Sequence, residues 1–450
     1  MKKKLMVILL LLVSFVGFCA TSVWAGEMDI LVNKLVEKGI LTPYEGQILK
    51  AEAKEEATKE LAEGKAITAP SWTQRIKVKG DVRFRTQVDW QDNHDNSNGS
   101  RVRNRIRGRL GVEGKVNDQI AAGIRLVTGS DDARSTNQTL SDDGDGTFGH
   151  PEAHLDKYYI KWTPELPNNL GNATFWGGKF SNPMQKTELL WDSDITLDGV
   201  GAQFMSSPFN LGDVSTNFYS NGGYFWLLGD QWTKGDPMLI ALQGGLKMDL
   251  IKDWDAGLNL GVAYYDFTNV QREGRDFTDA LSRQGAGTNT FVSGTTEFEY
   301  DYNLVDFLIR YDSKQFFDFK MGHGLYTDLI WNTNPSNDNF GGIVGGYLGT
   351  KKPKKPGQWK VWGNWRYLER DAVPDYLPDS DFVGWAKETG ASSGGGTNAQ
   401  GFNVGIQYAV LKNTVLCLEY YRMEPIQLNS GVPGDVEPYQ LLQLDIKTKF

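Results

Sequence analysis

Two runs of arginine at alternate positions are the densest chemistry-bearing pattern in the chain: Arg83 and Arg85 in the first, and Arg101, Arg103, Arg105, Arg107 and Arg109 in the second. On a β-strand successive side chains point to opposite faces. If the runs are antiparallel neighbours, all these guanidiniums share one wall. Like charges this dense repel, and a hydrated pore is where they are tolerated; there their field concentrates anions or orients dipolar solutes. The alternative is a scaffold, in which carboxylates of an inward-folded loop neutralise the ladder, and both roles can hold at once. The candidate loop is Ser181–Asp198, which carries Lys186, Glu188, Trp191, Asp192, Asp194 and Asp198. Bent into the lumen opposite the arginines, its Lys186, Glu188, Asp192 and Asp194 would form a constriction with a transverse field that favours polar over apolar solutes.

Other constellations are thin. The four histidines, His94, His150, His154 and His323, fall in loops or stand alone on a strand, and no serine sits in a nucleophile-elbow pattern. A protease or lipase barrel would assemble its site from distant strands and escape such a search. His150 and His154 have metal-compatible spacing if helical, and Asp142-Asp143-Gly144-Asp145-Gly146 resembles part of a calcium loop without its closing Glu. A solvated acidic loop, bridged by divalent ions to neighbouring lipopolysaccharide, explains both better than a dedicated site. The sequence therefore predicts no enzyme activity, no cofactor and no resident metal. The acidic balance argues against nucleic acid as a partner.

The elements that must position the arginines are strands. Ile76, Val78, Gly80, Val82, Phe84, Thr86 and Val88 alternate with Arg75, Lys77, Lys79, Asp81, Arg83, Arg85 and Gln87. In the next run Val102, Ile106, Leu110, Val112 and Val116 oppose the arginines, Glu113 and Lys115. One parity suits lipid and the other water. Similar alternation recurs down to Leu442–Phe450, with Gly (51), Trp (14), Tyr (18) and Phe (22) plentiful. In lipid only helices or closed barrels satisfy every backbone polar group, and past the first residues no apolar stretch reaches helical spanning length. A β-sandwich or propeller would place the apolar parity against a second sheet, and it fits the long charge ladders less well.

Short connections at Val116–Asp118, Asn210–Asp213, Lys252–Asp253, Ser313–Phe316, Lys351–Gly357 and Lys412–Asn413 alternate with long ones. The long loops fall near Gln91–Ser100, Gly129–Ala153, Ser181–Asp198, Gly229–Asp236, Asn269–Tyr300, Asn332–Asn339, Asp371–Gln400 and Glu424–Pro438. The spacing predicts an all-β, transmembrane antiparallel β-barrel of about 16 strands, with short turns on one side and long loops on the other. Leu442, Leu444, Ile446, Thr448 and Phe450 close the chain on an alternating strand with a terminal aromatic carboxylate, the form of signal that barrel-assembly machinery reads.

The beginning of the chain predicts export. Lys2–Lys4 precede an apolar run from Leu5 to about Cys19, and Val23-Trp24-Ala25 offers small residues at a signal-peptidase site. Residues 1–25 therefore read as a signal peptide. Lipid attachment at Cys19, which follows Phe18, and an uncleaved anchor fit less well. Its removal takes three lysines and carries the formal charge from −9 to −12, leaving Cys417 without a disulfide partner. Residues 26–70 read as a short α-helical periplasmic segment, a hairpin or coiled coil, with Thr42-Pro43-Tyr44-Glu45 as a capping box. Residues 71–450 read as the barrel.

Four stretches then resemble the putative porin family of bacterial outer-membrane proteins: Trp72–Arg85 (WTQRIKVKGDVRFR), Trp176–Asp198 (WGGKFSNPMQKTELLWDSDITLD), Tyr367–Phe382 (YLERDAVPDYLPDSDF) and Gly396–Tyr408 (GTNAQGFNVGIQY). Met184 departs from the aromatic that the family pattern favours. The resemblance implies a porin-like barrel behind a short helical segment and names no solute. The resulting expectation is an outer-membrane porin passing ions and small hydrophilic solutes by passive diffusion, with lipid, lipopolysaccharide and the assembly machinery as partners and a trimer as the homo-oligomer. Active uptake would need a far larger plug than the roughly 45 residues before the first strand. An oxyanion-selective channel is the runner-up. A plugged structural barrel tethering the outer membrane to the cell wall is the rival from another class.

Overall fold

The computed structural model describes residues 32, 34–38, 41–62, 75–91, 99–129, 132–141, 149–229, 235–271, 287–295, 297–316, 319–385, 392–393, 396–428 and 437–450. The expected signal peptide, His94 and the Asp142–Gly146 run lie outside them. The described residues form two units, one within Met1–Gln74 and one from Arg75 to Phe450.

The first unit contains helix α1, Pro43–Ala62. The capping box forms as its residue types dictate: the Thr42 backbone N–H donates to Glu45 Oε2 at 2.8 Å, and the Glu45 N–H donates to Thr42 Oγ1 at 3.3 Å. Those hydrogen bonds hold the Glu45 carboxyl below its ordinary pKa. Gly46 allows close approach, since a Cβ there would meet Val36 at 2.8 Å and Val32 at 3.4 Å.

The second unit is one antiparallel sheet. Its strands are β1 Ile76–Gln91, β2 Gly99–Lys115, β3 Ile120–Thr128, β4 Ala153–Trp162, β5 Gly171–Ser181 and β6 Thr196–Ser206. They continue as β7 Val214–Trp226, β8 Met238–Ile251, β9 Ala256–Thr268, β10 Tyr302–Ser313 and β11 His323–Asn332. The last are β12 Phe340–Gly349, β13 Trp359–Leu368, β14 Ala399–Leu411, β15 Thr414–Pro425 and β16 Tyr439–Lys449. Each pairs with the next, and β16 returns to β1 from Asp81↔Lys449 to Trp90↔Gln440. The sheet is thus a closed barrel of sixteen strands, leaving no free edge. Two short segments, Gln138–Thr139 and Phe209–Leu211, pair onto β2 and β7.

Outward positions carry Val82, Phe84, Leu110, Ile160, Leu242, Val262, Trp365 and Leu444, all exposed as a lipid-facing belt requires. Among the described residues no helix is long and apolar enough to cross a membrane; the strands do so. The β1–β2 register runs unbroken from Ile76↔Gly114 to Gln91↔Gly99, so the arginine parity survives along its whole length. The nearest irregularity lies between β3 and β4 at Arg125/Leu126. There the extra residue leaves Asp156 buried, its carboxylate taking Arg125.

The terminal Phe450 extends the seam. Its backbone exchanges two hydrogen bonds with Gly80, at 3.0 and 3.1 Å. Its ring occupies the space a Cβ at Gly80 would need, 2.4 Å away, with the Arg109 carbonyl at 2.6 Å. Gly80→Val should therefore obstruct barrel closure. The expected result is a sharply reduced fraction of the compact, heat-modifiable band on unboiled gels, whereas a wild-type folding yield would show that the seam tolerates the side chain.

Candidate functional site: a charged lumen closed by inward loops

In the β1–β2 register Arg83 stands opposite Arg107 and Arg85 opposite Arg105, with Gln87 against Arg103, Asp81 against Arg109 and Asp89 against Arg101. Two directly opposed arginine pairs are unfavourable alone, and carboxylates compensate them. Arg85 donates from Nε (2.7 Å) and Nη2 (2.9 Å) to Asp445 on β16, and from Nη1 to Asp381 at 3.1 Å. Asp81 accepts from Arg107 Nη2 at 2.8 Å and Arg109 Nε at 2.7 Å. Arg103 lies 3.6 Å from Asp89. Arg83 donates to Asn137 and lies 3.6 Å from Asp445, while Arg105 donates to Ser135 Oγ at 3.3 Å. Arg101 stays exposed at the rim.

Three of these countercharges, Asp81, Asp89 and Asp445, sit on the strands themselves, where sequence reasoning looked for them in a loop. Their signal was their own lumen parity. The ladder is therefore largely ion-paired, with buried bridges at Arg85 and Arg107.

The segment between β5 and β6 folds into the lumen. Asp194 accepts from Arg109 Nη1 at 3.1 Å and Thr136 Oγ1 at 3.1 Å, with Arg107 at 4.0 Å. Thr187 donates to Asp328 at 2.5 Å, and Gln185 and Gln243 exchange hydrogen bonds of 2.7 and 2.8 Å. The other side of the segment is apolar. Met184, Leu189, Leu190 and Trp191 bury against inward residues Phe225, Leu239, Tyr265, Phe267, Leu304 and Ile330 of the far wall. Each such side chain contributes about 1.5–3 kcal/mol, enough to hold the loop in place.

A second segment, the described residues 371–385 of the long loop expected near Asp371–Gln400, also turns inward. Ala372, Val373, Tyr376 and Leu377 are buried in the same cluster. It interlocks with the first: the Asp192 N–H donates to the Leu377 carbonyl at 2.7 Å, and the Ser380 N–H donates to Asp192 Oδ2 at 2.9 Å. Asp379 pairs with Arg366 at 2.9 Å. Asp371 and Asp375 accept from the Thr290 and Thr288 backbones at 2.8 and 2.5 Å. These carboxylates organise chain, and their apolar neighbours were the available signal that this loop is not a solvated one.

Between the ladder and these loops lies a cavity of about 450 Å³. All four constriction candidates line it, Lys186, Glu188, Asp192 and Asp194, together with Arg83, Arg85 and Arg107. Arg101 and Arg103 border a separate hollow of about 470 Å³. Sequence reasoning missed the facing wall, where Arg310, Lys360 and Arg366 reach the same cavity. His154 opens β4 at 4.0 Å from Glu152, so the helical geometry a His150–His154 metal pair would need does not form. Among the described residues no cluster of three metal-binding side chains occurs.

The family model described as "Putative porin" matches residues 90–297 and 301–450. The chain belongs to this family. The barrel is accordingly that of an outer-membrane porin channel. Among solved structures it is similar to OprB of Pseudomonas putida, at 10% identity over 84% of this chain and 95% of that one, with a TM-score of 0.50. It is also similar to OmpF of Salmonella typhi, at 11% identity over 83% and 97%, TM-score 0.44. The outer membrane channel DcaP of Acinetobacter baumannii gives 11%, 83% and 97%, and 0.42. At such identities the likeness is one of fold. No curated protein sequence matches the chain.

In this porin two loop carboxylates respond oppositely to the lumen. Burial, reinforced by Asp379 and Asp194, pushes Asp192 from 3.8 up to about 8. Burial also opposes the charge on Asp194, but Arg107 and Arg109 outweigh it and hold its pKa below 3.8. The raised group contributes stability that is full below pH 3.8 and lost as pH rises through about 8. The lowered one contributes stability present above 3.8 and lost as pH falls through its depressed value. Backbone amides of residues 187–195 should therefore show a step of extra exchange, beyond the intrinsic rate increase, that builds up as pH rises from 3.8 to about 8 and levels off above it. Asp192→Asn should remove that step; an unchanged step in the variant would locate its cause elsewhere.

Proposed function

We propose that this porin passes ions and small hydrophilic solutes by passive diffusion between the arginine ladder of β1–β2 and the inward segment 182–195. The observation that carries the reading is the pair of facing charged walls around one cavity, with Asp194 bridging the two. Guanidiniums and carboxylates fixed on opposite sides of a narrow wet passage orient dipolar solutes and exclude apolar ones. Among the titratable residues lining the cavity, cations (Arg83, Arg85, Arg107, Arg134, Lys186, Arg310, Lys351, Lys352, Lys360, Arg366) outnumber carboxylates (Glu188, Asp192, Asp194, Asp312, Asp379, Asp381, Glu419). That balance supports a preference for anions. The reading includes no enzymatic step, the outer membrane as the site, α1 and its preceding turns on the periplasmic side, and a homo-oligomer, most simply a trimer, within lipopolysaccharide and phospholipid. Terminal Phe450 serves the assembly machinery.

The rival plugged barrel draws on the apolar packing of both loops against the far wall. Liposome swelling separates the two. Vesicles containing the folded protein should admit small uncharged sugars at rates that fall with solute size. Swelling no faster than in protein-free vesicles would favour the plug.

A further inference from the structure

The wall facing the arginine ladder carries aromatic rings set against glycines. Directly opposed in the β11–β12 register are Gly324↔Tyr347 and Tyr326↔Gly345, and in the β13–β14 register Trp362↔Gly405. In each pair the ring fills the place of the absent side chain. A Cβ on Gly324 would meet the Tyr347 ring at 2.4 Å, one on Gly345 the Tyr326 ring at 2.6 Å, and one on Gly405 the Trp362 ring at 2.2 Å. The same arrangement recurs further round the barrel, where Tyr219 lies on Gly245 with Lys247 above it at 5.5 Å. An aromatic opposite a glycine is a known way to fix a ring against a sheet. Here the three rings form a floor in the lumen rather than in a core.

Cations stand over that floor. Arg310 lies 5.9 Å from the Tyr326 ring centroid, and Lys360 lies 5.4 Å from that of Tyr347 and 5.0 Å from that of Trp362. Unlike Arg83, Arg85, Arg107 and Arg109 of the ladder, neither has a carboxylate within 4.0 Å among the described residues. Arg310 donates to the Lys186 carbonyl at 3.3 Å, which ties the floor to the constriction segment and leaves its charge unneutralised. The rings and both cations border the 450 Å³ cavity, into which the exposed Glu188 also projects.

We propose that this floor is a binding site for small organic oxyanions with a planar body. The carboxylate or other oxyanion head is held by Arg310 and Lys360, and the body lies against Tyr326, Tyr347 and Trp362. Unpaired cations supply charge-assisted hydrogen bonds, and flat rings supply contact area at little entropic cost. Glu188 acts as a resident competitor for the cations. The proposal rests on the porin reading and names the solute class of its cavity.

The test uses the folded mature chain and two probes with the same head, benzoate and acetate. Block of single-channel chloride current should need a lower concentration of benzoate than of acetate. Arg310→Gln and Lys360→Gln should each weaken the benzoate block by about tenfold, the worth of one charge-assisted contact, and Glu188→Gln should strengthen it. Equal block by the two probes, or variants indifferent to benzoate, would overturn the site. Calorimetry on the same protein in detergent separates this outcome from failure of the porin reading. Benzoate binding that Lys360→Gln abolishes, without conductance, keeps the site and discards the channel. Conductance without benzoate binding does the reverse. Compact, heat-modifiable bands for each variant show that the barrel has formed.

Discussion

Replacing Arg85 with alanine is expected to cost the folded barrel about 3 kcal/mol, the low end of the penalty for breaking a buried ion pair, because Arg83 stays 3.6 Å from Asp445. Arg85 is the junction of the structure: it holds Asp445 of the closing strand through two hydrogen bonds and Asp381 of an inward loop through a third. Its side chain and that of Asp445 are 4% and 8% exposed, so water does not take over the vacant contacts. Arg85→Lys should recover only part of the loss, because an ammonium cannot supply the fork that meets both Asp445 oxygens while reaching Asp381. Urea unfolding followed on unboiled gels would read the difference as a lower midpoint for both variants, larger for alanine. A midpoint within error of wild type would show the ladder to be redundant for stability and would confine Arg85 to the field of the pore.

The second large effect is on conductance. Asp194→Ala removes the carboxylate that accepts from Arg109 and from Thr136, and with it the link between the inward segment and the ladder wall. The segment keeps its apolar contacts to the far wall through Leu189, Leu190 and Trp191, so it should shift toward that wall rather than unfold. Among the described residues Arg107 and Arg109 then retain Asp81 alone as a close carboxylate. Single-channel conductance should rise, and the reversal potential in a salt gradient should move toward the anion equilibrium potential. A lower conductance would mean that Asp194 keeps the passage open instead of narrowing it.

Much of this architecture was legible in the sequence because an undisturbed strand writes its two faces in alternate letters. Val82, Phe84, Leu110 and Val112 against Arg83, Arg85, Arg109 and Glu113 told lipid from lumen, and no bulge interrupts that pair. The family stretches Trp176–Asp198 and Tyr367–Phe382 proved to be the two segments that meet in the lumen, through Asp192, Leu377 and Ser380. Their meeting could not be read from either stretch, since it depends on contacts some 190 positions apart.

The apolar far wall was half legible. In β8, Leu239 and Ala241 point inward while Ile240 and Leu242 face out. A strand apolar on both faces calls for a cover on its lumen side, and alternation alone could not say what the cover was. The aromatic floor escaped for a different reason. Gly324 and Tyr347 become partners only once the β11–β12 register is fixed, and a glycine within a strand marks a bulge or a tight bend just as readily as a seat for a ring.

A water-filled passage biased by fixed charge is tested most directly by single-channel recording in a planar bilayer under a salt gradient. The folded mature protein should give steady ohmic steps with a reversal potential on the anion side, because the cations around the cavity outnumber the carboxylates and Asp192 is held protonated up to about pH 8. Inserted protein without conductance would contradict the account and leave the plugged barrel in its place.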